Sequence, residues 1–300
     1  MTIMELTAIR LLDRPIIRPG MCQRMGTNIN GPSIIRVPDW VKNALGTFYL
    51  YFAHHRGDYI RLAYADAVTG PWSVYEPGVL PLADSGFSHH IASPEVIVDH
   101  AAKQIRMFFH GGDEIKHQFT RLAISADGLH FTARREDLMN PYARLFRYRD
   151  WVYAITMPGQ FYRSADGIKG FIPGPRLFSA DMRHTAVWVE GHWLHVIYSN
   201  RGDAPESLLY SRIDLSADWM EWREEAPEIL LAPEREYEGV NLPIEPSTIG
   251  PAEGPVRQLR DPAVFQADGK LYLIYSVAGE SGLALAEINS RKFSARAQRS

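Results

Sequence analysis

Hydrophobic and polar positions alternate along this chain in short runs, cut by Gly, Pro, Asp and Asn. Period-two alternation in short runs rich in aromatic and β-branched residues is a strand signal. Helical periodicity is hard to find; Pro38 to Ala44 is the one stretch that suggests a short helical turn. The strand runs recur as a loose internal repeat. In the first copy Ser33–Val37 leads to Thr47–Phe52, then Ile60–Ala65, then Gly70–Val74. The second has Glu95–Val98, Gln104–Phe109, Thr120–Ser125 and Phe131–Ala133. The third has Ala143–Phe146, Trp151–Ile155 and Gln160–Ser164, with Gly170-Phe171 after it. The fourth has Thr185–Val189, His192–Tyr198, Ser207–Ile213 and Met220–Trp222. The fifth begins at Asp261 and runs through Leu271–Ser276 to Gly282–Ile288.

Each copy reads as an entry strand, an aromatic strand, a small-residue strand and an edge strand. Such a sheet cannot bury both faces alone, whereas radial stacking buries them and leaves short edges. The expectation is an all-β chain forming one five-bladed β-propeller, with four-stranded antiparallel blades around a central channel. The blades fall at about 28–76, 89–134, 139–175, 182–224 and 259–290, with a long inserted loop at 225–258. A β-sandwich or a pair of β-domains is the alternative. The fifth copy lacks an outermost strand, which the segment Ile9 to Ile17 is expected to supply. The insertion mixes Tyr, Leu, Ile and Pro with Glu, a composition that suits a packed loop over a cleft, with Glu238 and Glu245 as lid contacts.

Composition narrows the function. A chain of 300 residues, 46% hydrophobic and 22% charged, can bury a sizeable core. The net charge of −3 offers no basic footprint for nucleic acid. The single cysteine, Cys22, excludes an internal disulfide and a cysteine zinc site. No apolar run suits a signal peptide or a membrane span, so the expected setting is cytoplasmic, with no membrane partner. No cofactor is implied and no histidine spacing demands a metal, although the central channel leaves room for a structural ion. A homo-oligomer is compatible with the long insertion.

In a propeller the innermost strand of every blade starts at one end of the channel, so the residues before those strands converge. Here they read Asn28–Ser33, His89–Glu95, Met139–Pro141, Asp181–Thr185 and Arg260–Pro262. This concentration of carboxylate, amide, Arg and His exceeds what a structural channel needs and suits a ligand rich in hydroxyls.

The strand pattern Tyr49–Phe52, Ile60–Asp66 and Thr69–Trp72, with Arg260-Asp261-Pro262 and Tyr275–Gly282, resembles the five-bladed glycoside hydrolases of family 43 and their relatives in families 32, 62, 68 and 117. The resemblance spans most of Ser33 to Ile288. It implies three carboxylates on three blades: a base or nucleophile before a Pro, an orienting Asp and a general acid Glu. This chain departs from that pattern. Gly31 stands before Pro32, and the third blade offers Asn140-Pro141 without a Glu. A rotated register restores a pair, with Asp261 as base or nucleophile, Asn30 in the orienting place and Glu95 as acid. Asn30, His90, Arg183, His184, Arg260, His54, Glu245 and Glu280 are the candidate substrate contacts. Each also has a structural reading: Asp261 as a turn cap, Glu95 as the partner of a channel Arg, the histidines as packed wall residues. The function expected is cleavage of a small glycoside by a carboxylate pair, the alternative a non-catalytic carbohydrate-binding propeller with an eroded site.

Overall fold

The computed structural model describes residues 2–114 and 117–294. It consists of five four-stranded antiparallel sheets arranged as the blades of a β-propeller. Strand β1 (Thr2–Arg10) comes first in the chain. Blade one then contains β2 (Asn30–Arg36), β3 (Phe48–Ala53), β4 (Tyr59–Ala65) and β5 (Ser73–Pro81). A one-turn helix, Leu82–Ser85, leads to blade two, which contains β6 (His90–Asp99), β7 (Gln104–Glu114), β8 (His117–Ser125) and β9 (Thr132–Ala133). Blade three holds β10 (Arg144–Tyr148), β11 (Trp151–Thr156), β12 (Gln160–Ser164) and β13 (Ile172–Arg176). Blade four holds β14 (Met182–Glu190), β15 (Trp193–Asn200), β16 (Leu208–Asp214) and β17 (Glu228–Leu231). Blade five combines β18 (Arg260–Ala267), β19 (Lys270–Ser276) and β20 (Leu283–Ser294) with β1 as its outermost strand.

The ring thus closes through the N-terminal strand, paired with β20 from Thr2↔Ser294 to Arg10↔Ala286. The closing segment is Thr2–Arg10 and not Ile9–Ile17. Of the latter stretch only Ile9 and Arg10 lie in the paired strand; beyond them Leu11, Ile16 and Ile17 follow β20 through isolated backbone bonds to Leu285 and Leu283. Blade four differs as well. Met220–Trp222 is not its edge strand: Trp219–Glu221 is a 3-10 turn capped by Asp218, and the outer strand lies beyond it at Glu228–Leu231. The large rings explain why. Trp219 and Trp222 turn inward onto Phe146, Tyr153 and Phe161 of blade three. Pro38 to Ala44 forms turns and no helix.

Packing follows from the repeat. Strand β3 is buried at every position, because both faces of the sheet meet a neighbouring blade. Its Phe48, Leu50 and Phe52 pack against Tyr272 and Ile274 of blade five, whereas Tyr49 and Tyr51 pack against Met107 and Phe109 of blade two. Comparable clusters fill the interfaces of blades two with three, three with four and four with five. Each fully buried Leu, Ile or Phe in these layers contributes about 1.5–3 kcal/mol. No helix among the described residues is long and apolar enough to cross a membrane.

Candidate active site at the channel mouth

The innermost strands share a device at their starts. In β2, β6, β14 and β18 the ladder to the next strand skips two residues: Gly31-Pro32, Ser93-Pro94, Arg183-His184 and Asp261-Pro262. A bulge of this kind re-aims side chains at the end of a strand. Gly31, Ser93 and Asp261 all adopt left-handed backbone there (φ 58°, 44° and 49°), as does Tyr142 (φ 64°) just before β10. Left-handed backbone at a non-glycine residue is strained and is held only by its surroundings. These positions form the rim of the channel mouth. The residues after the bulges, Ser33, Glu95 and Thr185, resume the ladder one step further along each strand, and Arg144 begins the ladder of blade three.

That offset separates Glu95 from Asp261. Glu95 lies in the deeper tier, where Arg144 Nη1 donates to its Oε2 at 2.7 Å. The same guanidinium, almost fully buried, donates to the carbonyls of Pro32, Pro94 and Thr185, each at 2.9 Å. Burial raises the Glu95 pKa against the pull of Arg144. The residue of blade two that corresponds to Asp261 is Ser93, so the structure pairs Glu95 with Arg144 rather than with Asp261. Gly31 has its own explanation. A Cβ there would lie 2.7 Å from Ser93 Oγ and 2.9 Å from Ser93 Cα, so a carboxylate cannot stand before Pro32.

At the mouth, Asp261 is buried, with Oδ1 against His184 Nδ1 and Oδ2 accepting from Ser276 Oγ at 3.3 Å. Burial alone would push its pKa up. His184 foremost, then Arg260 and Arg183, outweigh that and hold the carboxyl well below the usual range. Glu280, in the turn after β19, is the neighbouring carboxylate. Its Oε1 lies 3.2 Å from His55 Nδ1 and accepts from Arg260 Nη1 at 3.2 Å, and its Oε2 accepts from Asn28 Nδ2 at 2.6 Å. Burial pushes its pKa up and the charge of Asp261 adds to that, but His55 and Asn28 pull it below the usual value. Asn28 Oδ1 in turn accepts from Asn30 Nδ2 at 3.1 Å and from the His55 amide at 2.8 Å. Asn30 therefore braces Asn28, while its own Oδ1 is buried without a partner.

Behind these groups lies Glu206, fully buried, which sequence reasoning missed. It sits 3.1 Å from Arg183 Nε and 3.1 Å from Arg260 Nε, close enough to pair charges though off the line of a hydrogen bond. Ser199 Oγ donates to its Oε1 at 2.6 Å. Burial raises its pKa despite the two arginines. The available signal was a carboxylate directly after Pro205 and before a strand, the same pattern as Pro94-Glu95.

Rings form the other wall. Tyr142 stands 3.9 Å from both the His110 and the His184 ring centroids. Burial, then the charges of Asp261 and Glu280, push its pKa up. His110 is buried with both ring nitrogens unpartnered, and burial holds it neutral. His90, beside it at 5.7 Å, is pushed down to about 4 by burial, then by His89 and His55. His54 does not join the cluster. Its Nδ1 accepts from the Arg56 amide at 3.0 Å, and burial, then Arg61, lowers its pKa. Its neighbour His55 takes the place at the mouth.

The insertion reaches the mouth by backbone. Thr248 O accepts from Arg183, Ser247 bonds Gly202 and Asp203, and Gly250 O accepts weakly from Arg260 Nη1 at 3.5 Å. Glu245 is exposed and touches none of the site groups. Glu238 is fully buried at the loop's base, accepting from Arg10 Nε at 2.7 Å and Tyr275 Oη at 2.8 Å. It is an anchor of the loop, not a lid contact. A groove of about 860 Å³ beside it, lined by Leu11, Leu12 and Tyr237 among others, lies on the outer side of blade five. No group of three or more His, Cys, Asp or Glu among the described residues is arranged to hold a metal ion.

No protein-family model matches the sequence. The fold is shared with solved structures at low identity. A thermostable family-43 glycoside hydrolase is 16% identical with a TM-score of 0.59, covering 93% of both chains. CoXyl43, a family-43 β-xylosidase/α-arabinofuranosidase from a compost microbial metagenome, is 11% identical with a TM-score of 0.61, covering 98% of this chain and 97% of that one. A family-43 enzyme from Xanthomonas citri is 12% identical with a TM-score of 0.60, covering 97% and 92%. By sequence, "Uncharacterized protein R118" of Acanthamoeba polyphaga mimivirus is 33% identical over 323 aligned positions, covering 95% of this chain and 91% of that protein. The chain belongs to the family of that mimivirus protein, and it is built on the five-bladed β-propeller that the family-43 glycoside hydrolases also use.

Proposed function

We propose that this protein is a glycosidase-type enzyme that cleaves a small glycoside at the mouth of the channel, with Asp261 as the carboxylate on which turnover depends. The observation that carries this reading is the state of Asp261. It is an ionised, buried carboxylate on strained backbone at the point where the blades converge, with His184, Arg183, Arg260 and Glu280 around it. Strain and a strongly shifted carboxyl at a convergent polar mouth are marks of a working site. The fold adds support, since structures sharing it are described as glycoside hydrolases. Glu95 is a poor candidate for the acid while Arg144 holds it in the deeper tier.

The test is hydrolysis of a panel of aryl furanosides and pyranosides, with products followed by chromatography, for wild type, Asp261→Asn and Glu95→Gln. Turnover by wild type that Asp261→Asn abolishes supports the proposal. Sugar binding without turnover by wild type would instead favour the binding-propeller reading.

A further inference from the structure

The two carboxylates at the mouth do not present free oxygens. Asp261 gives Oδ1 to His184 and Oδ2 to Ser276, and its side chain is 4% exposed against 11% for His184. Glu280 gives Oε1 to His55 and Arg260 and Oε2 to Asn28, and its side chain is 3% exposed against 20% for His55. In both pairs the imidazole stands between its carboxylate and the open mouth. Both rings turn Nδ1 toward a carboxylate and Nε2 away from it: His55 Nδ1 lies 3.2 Å from Glu280 Oε1 in hydrogen-bond geometry, whereas His184 Nδ1 meets Asp261 Oδ1 as an ion-pair contact off the line of a hydrogen bond. The bonds and ion pairs of both rings run through Nδ1, and neither Nε2 is bonded to a protein group among the described residues. The rings come from opposite flanks of blade five, His184 from blade four and His55 from the loop after β3 of blade one.

We propose that His184 and His55 are the proton-transfer pair of this site, with Asp261 and Glu280 as positioning residues that fix and charge them from behind. This assignment rests on the glycosidase reading above. In the reaction, the neutral imidazole takes a proton on Nε2 from a water whose oxygen bonds to the anomeric carbon. The glycosidic C–O bond breaks with its electron pair on the departing oxygen, which accepts the Nε2 proton of the other, protonated imidazole. One water is consumed, two hydroxyl products form, and exchange with solvent restores both rings. A carboxylate behind a histidine holds the ring's tautomer and stabilises its charged form without itself taking the proton.

Charged and aromatic groups face each ring. His184 meets Asp261, Tyr142, His110 and its neighbour Arg183. His55 meets Glu280 and lies near His54, His90 and His110.

The experiment compares wild type, His184→Gln and His55→Gln on glycosides with an activated aryl or an alkyl leaving group. Each variant is expected to lose about 100-fold or more in kcat/KM on the alkyl glycoside and one limb of the bell-shaped pH profile. The variant lacking the acid is expected to keep most of its activity on the activated aryl glycoside. Both pH limbs surviving in both variants, or a change in KM alone, would overturn the assignment. Imidazole NMR provides a readout without turnover. The nitrogen shifts should show Nδ1–H tautomers for both rings in wild type, and Asp261→Asn should move His184, and Glu280→Gln His55, toward the Nε2–H tautomer. Unchanged tautomers would overturn the dyads whatever the activity. A wild type inert on every glycoside would overturn the glycosidase reading, while the NMR result would still decide whether the dyads exist.

Discussion

Arg144 is the residue whose loss should be felt most widely. It begins blade three, yet its guanidinium holds carbonyls of blades one, two and four and the carboxylate of Glu95. Arg144→Met keeps much of the side-chain volume and removes the charge and every one of these bonds. Removing one partner of a buried ion pair costs about 3–5 kcal/mol, because the other charge is stranded. Three carbonyls lose a donor, each bond being worth about 1 kcal/mol. The sum overstates the effect, since bonds from one group are not independent. The Glu95 side chain also retains 17% exposure, so water can reach it in the variant. A net loss of about 3–4 kcal/mol is expected. Urea denaturation at pH 7, read by tryptophan fluorescence with the slope checked for constancy, measures it. Adding Glu95→Leu to Arg144→Met should recover about 1–2 kcal/mol, because no stranded charge then remains. The pH dependence carries a sign as well. Burial already raises the folded pKa of Glu95, and loss of Arg144 removes what lowers it. A carboxyl with a raised folded pKa gains stability as pH falls toward the unfolded value of about 4.3. Arg144→Met should therefore close part of its gap to wild type between pH 7 and pH 5. A loss below about 1 kcal/mol, or a double variant less stable than Arg144→Met, would refute the view of Arg144 as the pin of the channel.

Three further outcomes follow from the same geometry. Gly31→Ala should lose about 2–4 kcal/mol in the same denaturation assay, through left-handed backbone and contact with Ser93; Gly31→Asp should not create a working base. Glu238→Ala leaves the largely buried Arg10 with only the exposed Glu234 and the Ala232 carbonyl, removes the acceptor of Tyr275 Oη, and should destabilise by about 2–3 kcal/mol, with faster limited proteolysis between residues 232 and 258. Asp261 has a depressed folded pKa, so it contributes stability above its unfolded value of about 3.9 that is lost as pH falls below it. Denaturation midpoints between pH 7 and pH 3 should accordingly fall less steeply for Asp261→Asn than for wild type.

The propeller was legible because its signal is repeated. Period-two runs with aromatic middle strands recur five times, and each must be buried on both faces. What failed to show was local. The closing strand is far in sequence from the blade it completes, and its pairing with β20 leaves no mark on its own residues. The edge strand of blade four was misplaced because Trp219 and Trp222 look like strand aromatics but fill the core from a 3-10 turn. At the mouth, the convergence of Asp261, His184, Arg183 and Arg260 was legible from their place at the starts of the inner strands. Glu95 carried two readings, acid or partner of a channel Arg, and its contact with Arg144 matches the second; spacing alone does not choose between them, since the bulge residues shift the count by a step that it does not display. Glu206 and Tyr142 stayed hidden because their surroundings come from residues far apart in sequence: Arg183 and Arg260 around Glu206, His110 and His184 around Tyr142.

The central claim is that the chemistry occurs at the channel mouth around Asp261. Its most direct test is kcat/KM for wild type and Asp261→Asn on the best glycoside of the panel, with circular dichroism confirming that both are folded. A fall of about 1,000-fold or more is expected, since the variant removes the charge that orders His184. A folded Asp261→Asn within about tenfold of wild type would contradict it.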